Sequence, residues 1–391
     1  MSRQKPLKPH KKSYYPFSKD YPGRAHSSFA IGETRERRKK EQHANILYVF
    51  SMFLLFLCTF FLVYLAIFLS KKPIQENQKA PLPSLEQMVA LEMPKDALSG
   101  GIALDLFRTQ LQDAGANAVF VEFKDEDGHL NYVTNVETAS QIGASNRAYQ
   151  NFADSLAKLK AEGYKIIATY SCFQDALAAS SLSGAAITLP DYTSLWLDES
   201  AQKDGSPWLN PYAPVATDYL LSLIAEAKSF GADGILLKHV EFPTGRFIED
   251  ATYPFSAESG LSKNAVLLDF LSKVALTLGD MPFSVELDVA DVLYGNPQKH
   301  DGSLLESAVS FFTIEFEKTP DLEQRLLENN TGFATLSQTE YFLPAAAAVK
   351  TKLEATAAEK PIVVRTTPEN PKADILQADF SHVCYVAKEN T

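Results

Sequence analysis

Three short runs alternate charged side chains with large apolar ones, and any chemistry in this chain starts there. In AVFVEFKD, Glu122 and Lys124 share one face while Val119, Val121 and Phe123 share the other. FSVELD sets Glu286 and Asp288 against Phe283, Val285 and Leu287, and FFTIEFE sets Glu315 and Glu317 against Phe312, Ile314 and Phe316. Successive side chains of a strand point to opposite faces, so each run has one face to bury and one to use. Paired carboxyls can break a glycosidic bond, one serving as acid and the other as nucleophile or base. Crowding raises the pKa of such groups, whereas Lys124 and Lys238 would hold their neighbours ionised. Glu286 or Asp288 is expected to be one catalytic carboxyl and Glu315 the other, with Glu122 a further candidate. A structural ion-pair network around Lys124 and Lys238 is the competing reading.

The elements that must position these residues alternate between strand-like and helix-like runs from about residue 86 to the end. Nine strand candidates stand at 88–93, 118–123, 165–171, 234–242, 283–288, 311–316, 333–338, 361–367 and 382–387, one more than an eightfold barrel needs. Between them, ALDLFRTQLQDAG, AYQNFADSLAKLKAEG, ATDYLLSLIAEAKSFG and NAVLLDFLSKVALTLG carry apolar residues at three-to-four spacing and end in a glycine suited to stopping a helix. The pattern predicts an α/β fold, a TIM-like (β/α)8 barrel over 88–391. In such a barrel the apolar face of each strand lies under helices, and the charged residues near the strands' C-terminal ends form a ring at one mouth.

Other signals are fewer. The chain's two tryptophans, Trp196 and Trp208, lie with Tyr192 and Tyr212 in the long segment before the fourth strand candidate, where flat rings suit sugar stacking. The histidines form no paired metal-ligand spacing, and KDEDG at 124–128 reads as a surface turn rather than a calcium loop. Glycine fingerprints for nucleotides and the G-x-S-x-G nucleophile motif are not found in the sequence, and neither a metal nor a cofactor is expected. Cys172 and Cys384 fall on separate strands and read as free buried thiols.

Charge divides the chain. Residues 1–43 hold 12 Lys/Arg and four acids, a balance of +8, while the remainder holds 25 basic and 44 acidic residues, a balance of −19. An acidic body excludes phosphate-driven binding of nucleic acid. Ile46 to Leu69 carries no charge and, at about 1.5 Å per residue, would make roughly 36 Å of helix, enough for a hydrocarbon core of about 30 Å. The expected organisation is a cytoplasmic, basic, disordered tail over 1–43, a transmembrane helix over 44–70, a linker over 71–87 and the barrel domain over 88–391. Arg35, Arg37, Arg38, Lys39 and Lys40 before the span predict a cell-membrane protein with a single pass and an extracellular C-terminal domain.

The pieces VFVEFKDEDGHLNYVTNVETASQIGA, IIATYSCFQDALAA, WLDESAQKDGSPWLNPY, GADGILLKHVEFPTG and SVELDVADVLYG, in this order, resemble an uncharacterised bacterial glycoside-hydrolase-like (β/α)8 barrel domain family over about 86–300. The resemblance implies the barrel and a site that handles a polysaccharide or cell-wall glycan. It places Glu122, Lys124 and Asp125 on the family's V-I-D-V-K-D charges, keeps Trp208, Asn210 and Tyr212, and keeps Asp288. Ala168-Thr169 and Gln174 stand where the family carries Arg and Lys. Lys238 and Glu241 stand where it carries Asp and Arg. Lys124, Asp125, Trp196, Trp208, Asn210, Tyr212, Lys238 and Glu241 are thus the expected substrate-binding residues. The inverted charges at 238 and 241 support the alternative of a non-catalytic module that binds a glycan or an envelope partner.

Overall fold

The structure, a computed structural model, describes residues 50–59, 61, 87–300, 302–356, 360–367, 378 and 380–386. Two compact units are distinguished, 1–76 and 77–391. In the first, residues 50–59 and 61 are helical. The rest of the expected span, the basic tail and residues 71–86 of the linker lie outside the described residues. Among the described residues no helix is long and apolar enough to cross a membrane.

The second unit contains a closed barrel of eight parallel strands in sequence order. These are β1 (Met88–Glu92), β2 (Ala118–Lys124), β3 (Lys165–Ser171), β4 (Gly234–Lys238), β5 (Phe283–Asp288), β6 (Phe311–Glu315), β7 (Ile362–Thr366) and β8 (His382–Tyr385). The circle closes where Met88 to Leu91 pair with His382 to Tyr385. The main crossover helices are α1 (Gly101–Asp113), α2 (Phe152–Ala161), α3 (Ala176–Ser181), α4 (Pro214–Glu226), α5 (Lys263–Leu278), α6 (Val289–Tyr294), α7 (Pro320–Glu328) and α8 (Gln338–Thr356). Their starts are chemically marked. Asp175, Ser262, Asp288 and Thr319 each accept a backbone N–H of the first turn, and proline opens α4 and α7 where no amide is needed.

The surplus strand candidate is 333–338. Its apolar residues lie in a turn, and Ser337 with Glu340 starts α8, the Glu340 carboxylate accepting both the Ser337 amide and its hydroxyl. That is the acidic half of an S-x-x-E capping box, which outweighs a six-residue apolar pattern. The fourth candidate also shortens, because His239 adopts a φ of 52° and ends β4 at Lys238.

Strand alternation divides the core into two layers. Met88, Ala90, Ala118, Phe120, Ile167, Leu236, Phe311, Val363 and Cys384 fill the barrel interior. Val119, Val121, Phe123, Val285, Leu287, Phe312 and Ile314 face the helices. Cys172 and Cys384 are free and buried, as their placement on separate strands predicts. One position breaks the alternation: the β2–β3 register shifts between Glu122 and Lys124. An extra residue in one strand turns the following side chain away from its expected face.

Candidate active site

The C-terminal ends of β1, β5, β6 and β7 bring one arginine together with three carboxyls. Arg365 on β7 donates through Nη2 to Glu92 Oε2 at 2.8 Å. Its Nη1 donates to Glu315 Oε2 and lies 3.4 Å from Glu286 Oε1. Burial lowers a guanidinium's pKa, yet Glu286, Glu315 and Glu92 together hold Arg365 well above the ordinary arginine value. Burial pushes the Glu315 carboxyl up, Arg365 opposes it and Glu286 adds to it, leaving Glu315 at about 7. Lys238, at the end of β4, is pulled down by burial, but the negative charge of Glu286 leaves it raised.

Arg365 and Lys238 form part of a cleft of about 1140 Å³ whose wall also carries Glu92, Lys95, Glu122, Asp125, Glu126, Glu317 and Lys318. Glu122 receives the Lys95 ammonium at 2.9 Å and the Asn131 amide at 3.1 Å. Asp125 accepts the His129 amide at 2.7 Å, and burial raises its pKa. Glu126 hydrogen-bonds His239 Nε2 at 3.0 Å and lies 3.4 Å from Lys238. The bond to His239 takes the Glu126 carboxyl down to about 2. Glu317 lines the cleft, and its amide donates to Glu315 Oε1 at 2.8 Å.

The remaining expected site residues stand elsewhere. Asp288 caps α6, accepting the Asp291 amide at 2.7 Å, and Arg325 of α7 reaches Asp288 at 2.5 Å and Asp291 at 2.6 Å. Burial and Asp291 raise Asp288 to about 6, against Arg325. Glu241 lies 3.2 Å from Lys299 and 3.7 Å from His239, and these cations hold it below the usual carboxylate range despite burial.

The register shift accounts for Lys124. Instead of sharing the cleft with Glu122, it forms an ion pair with Asp175 at 2.9 Å, both side chains 0% exposed, and donates to the Ser171 carbonyl at 2.8 Å. An ammonium so enclosed is out of reach of a ligand in the cleft. Asp175 has a second task. Gly128, at a φ of 95°, passes so close that a Cβ there would fall 2.0 Å from Asp175 Oδ1. The turn carrying Asp125 and Glu126 is thereby pinned to the buried pair.

None of the aromatic candidates lines the cleft. Trp196 is buried and donates to the Phe247 carbonyl at 3.0 Å, and Trp208, also buried, donates to Asp198 at 2.9 Å. Asn210 donates to the Pro254 carbonyl at 2.8 Å, and the Tyr212 hydroxyl donates to the Leu261 carbonyl at 3.2 Å. Buried indoles and amides take such partners because an unpaired polar group there is costly. These four residues hold the long β3–β4 and β4–β5 connections together.

Sequence reasoning passed over Glu92, Arg365, Arg325 and Glu126. Parity marks the first two, since Met88, Ala90 and Glu92 alternate with Val89 and Leu91, and Val363 and Arg365 alternate with Val364. Arg325 carries no such mark, because it reaches Asp288 only through the packing of α7 beside α6.

A (β/α)8 barrel with carboxyls gathered at the C-terminal mouth is an architecture that glycoside hydrolases share with many other enzymes. Residues 104–301 match the model of the DUF4015 family, described as "Putative glycosyl hydrolase domain", and the chain belongs to that family. No match was found among curated proteins. Among solved structures it is similar to a hypothetical protein from Ruminiclostridium thermocellum ATCC 27405, with 22% identity over 50% of this chain and 96% of that one, and a TM-score of 0.44. The glycoside hydrolase domain of PelA from Pseudomonas aeruginosa shows 14% identity over 77% and 93%, with a TM-score of 0.38. Alpha-L-fucosidase isoenzyme 2 from Paenibacillus thiaminolyticus shows 13% identity over 77% and 46%, with a TM-score of 0.50. The last likeness supports the fold alone, and the chain spans less than half the length of that fucosidase.

Proposed function

We propose that this chain is a membrane-anchored, extracytoplasmic glycoside hydrolase acting on polysaccharide, with Glu315 as general acid and Glu286 as the second carboxyl. The observation that carries the reading is the pair's shared environment: both approach Nη1 of Arg365 at the barrel mouth, and Glu315 is raised to about 7. A carboxyl with that pKa keeps a proton to donate near neutral pH. Glu122, Asp125 and Lys238 on the cleft wall would hold sugar hydroxyls. Reducing-sugar release by the full chain from cell-wall and other polysaccharides tests this, and release that survives Glu315→Gln would exclude the assignment.

The second reading, a module that binds glycan without cleaving it, draws on the same arginine. Arg365 engages three carboxylates at once, which satisfies the cluster as an ion-pair network. Glycan retention without sugar release would favour it.

Anchoring rests on the uncharged run 46–69 and the basic residues before it. Protease added to intact cells should remove the C-terminal domain and spare the basic tail. The opposite pattern would reverse the orientation.

A further inference from the structure

Three large aromatic residues, Tyr192, Phe247 and Phe255, are 66%, 53% and 41% exposed, and all three adopt left-handed backbone conformations, at φ of 59°, 58° and 68°. Bulky residues rarely occupy that region, and where they do the surrounding structure enforces it, often at sites that bind. These residues belong to the connections after β3 and β4, which leave the strands at the same end of the barrel as the cleft. Thr188 bridges Leu195 on one side and Thr252 on the other, so the tip bearing Tyr192 and the segment bearing Phe247 and Phe255 share one small sheet. Buried Trp196 fixes the Phe247 backbone, and the Arg246 guanidinium lies 4.7 Å from the Phe247 ring centre. Trp208 packs edge-on against His239, which hydrogen-bonds Glu126 of the cleft wall.

We propose that Tyr192, Phe247 and Phe255 form a stacking platform for the part of a glycan chain that extends beyond the cleft. The proposal rests on the glycan reading above and adds where a long substrate is held. Exposed flat rings on fixed backbone offer apolar area to sugar faces with little left to order on binding. A lipid surface is disfavoured because Asp191, Glu249, Asp250 and Glu258 outnumber the one base, Arg246, within three residues of these rings, whereas membrane-surface segments are rich in Lys and Arg.

The test is retention of the full chain, in detergent, on insoluble cellulose, chitin, chitosan and peptidoglycan, comparing wild type with the triple variant Tyr192→Gly, Phe247→Gly, Phe255→Gly. Glycine accepts positive φ without strain, so the variant should melt at or above the wild-type temperature while retention falls roughly tenfold on the polymer the wild type binds. Tyr192→Phe alone should keep retention. Unchanged retention by the folded triple variant would overturn the platform while leaving the glycan reading standing. Wild type that neither binds any of the four polymers nor releases sugar from them would overturn both. Binding to phosphatidylcholine–phosphatidylglycerol vesicles, measured alongside, that falls in the triple variant while polymer retention does not would overturn the platform in favour of a lipid surface.

Discussion

Asp288 and Glu315 stand at the ends of adjacent strands and are paired with each other in the β5–β6 register. Both are largely buried, both touch an arginine, and both have raised pKa values, yet their partners differ in kind. Asp288 spends its oxygens on the first turn of α6 and on Arg325, which also holds Asp291. Its contacts therefore fasten α6 to α7. Glu315 meets Arg365, a residue of the cleft wall that it shares with carboxyls from two other strands. A charged residue at a strand's C-terminal end is a candidate for chemistry, but the element that supplies its partner decides whether it caps or reacts.

The contrast is broken or kept by exchanging one oxygen on each side. Glu315→Gln should cut sugar release by about 10²–10⁴-fold, the usual contribution of a general acid, with the melting temperature at neutral pH unchanged or higher. Asp288→Asn should do the reverse, lowering the melting temperature by weakening a cap and a charged pair while leaving release within about tenfold. If Asp288→Asn abolished release and Glu315→Gln did not, the roles would have to be exchanged.

Next in size is the buried pair under the acidic turn. Lys124→Met leaves Asp175 charged and enclosed without its partner, a change that typically costs about 3–5 kcal/mol. Denaturant unfolding should show that loss. Lys95→Met, which removes an exposed partner of Glu122, should move stability by less than about 1 kcal/mol. Equal effects from the two would mean that the turn is not anchored at Asp175.

Titration sharpens the comparison further. Because folding raises Glu315 from 4.5 to about 7, the folded state keeps a proton that the unfolded chain has lost, so this group's contribution to stability falls as pH rises across that window. Asp288 acts in the same direction between 3.8 and about 6. Asp291, held low by His300 and Arg325 against burial, acts oppositely and loses its contribution as pH falls below its unfolded value. Sugar release should decline above pH 7 as Glu315 deprotonates. Melting temperatures of Glu315→Gln measured from pH 5 to 8 should show a smaller decline than wild type, and an identical slope would place the raised pKa elsewhere.

Much of this was legible because strand alternation is a strict code. Val119, Val121, Val285, Leu287, Phe312 and Ile314 face the helices as read from the sequence, and the barrel follows from the alternation of strands and helices. The code fails where the backbone slips by a residue. The register shift after Glu122 sends Lys124 into the wall, and no composition signal marks it. It is silent on partners that arrive from another element, as Arg325 does, and it does not distinguish a ring that is packed from one that is presented. The segment between β3 and β4 carries one exposed ring, Tyr192, while its two indoles are packed. The indoles there are the residues with most apolar area to bury and an N–H to satisfy, so they went inside, and smaller rings occupy the strained turns outside.

That exchange gives the smallest expected effect and the finest test of the contrast between packed and presented rings. Trp196 donates its N–H to the Phe247 carbonyl from a buried position. Trp196→Phe removes that hydrogen bond and part of a large ring, which should cost about 1–3 kcal/mol through an unsatisfied carbonyl and incomplete packing. Since the indole supports Phe247 rather than meeting a ligand, the variant should keep sugar release and should weaken polymer retention only as far as Phe247 shifts. Removing Phe247 itself should weaken retention with no loss of stability. Should Trp196→Phe instead abolish retention while the fold stays intact, the indole would be the contact surface, and the division between a packed interior and a presented rim would have to be redrawn.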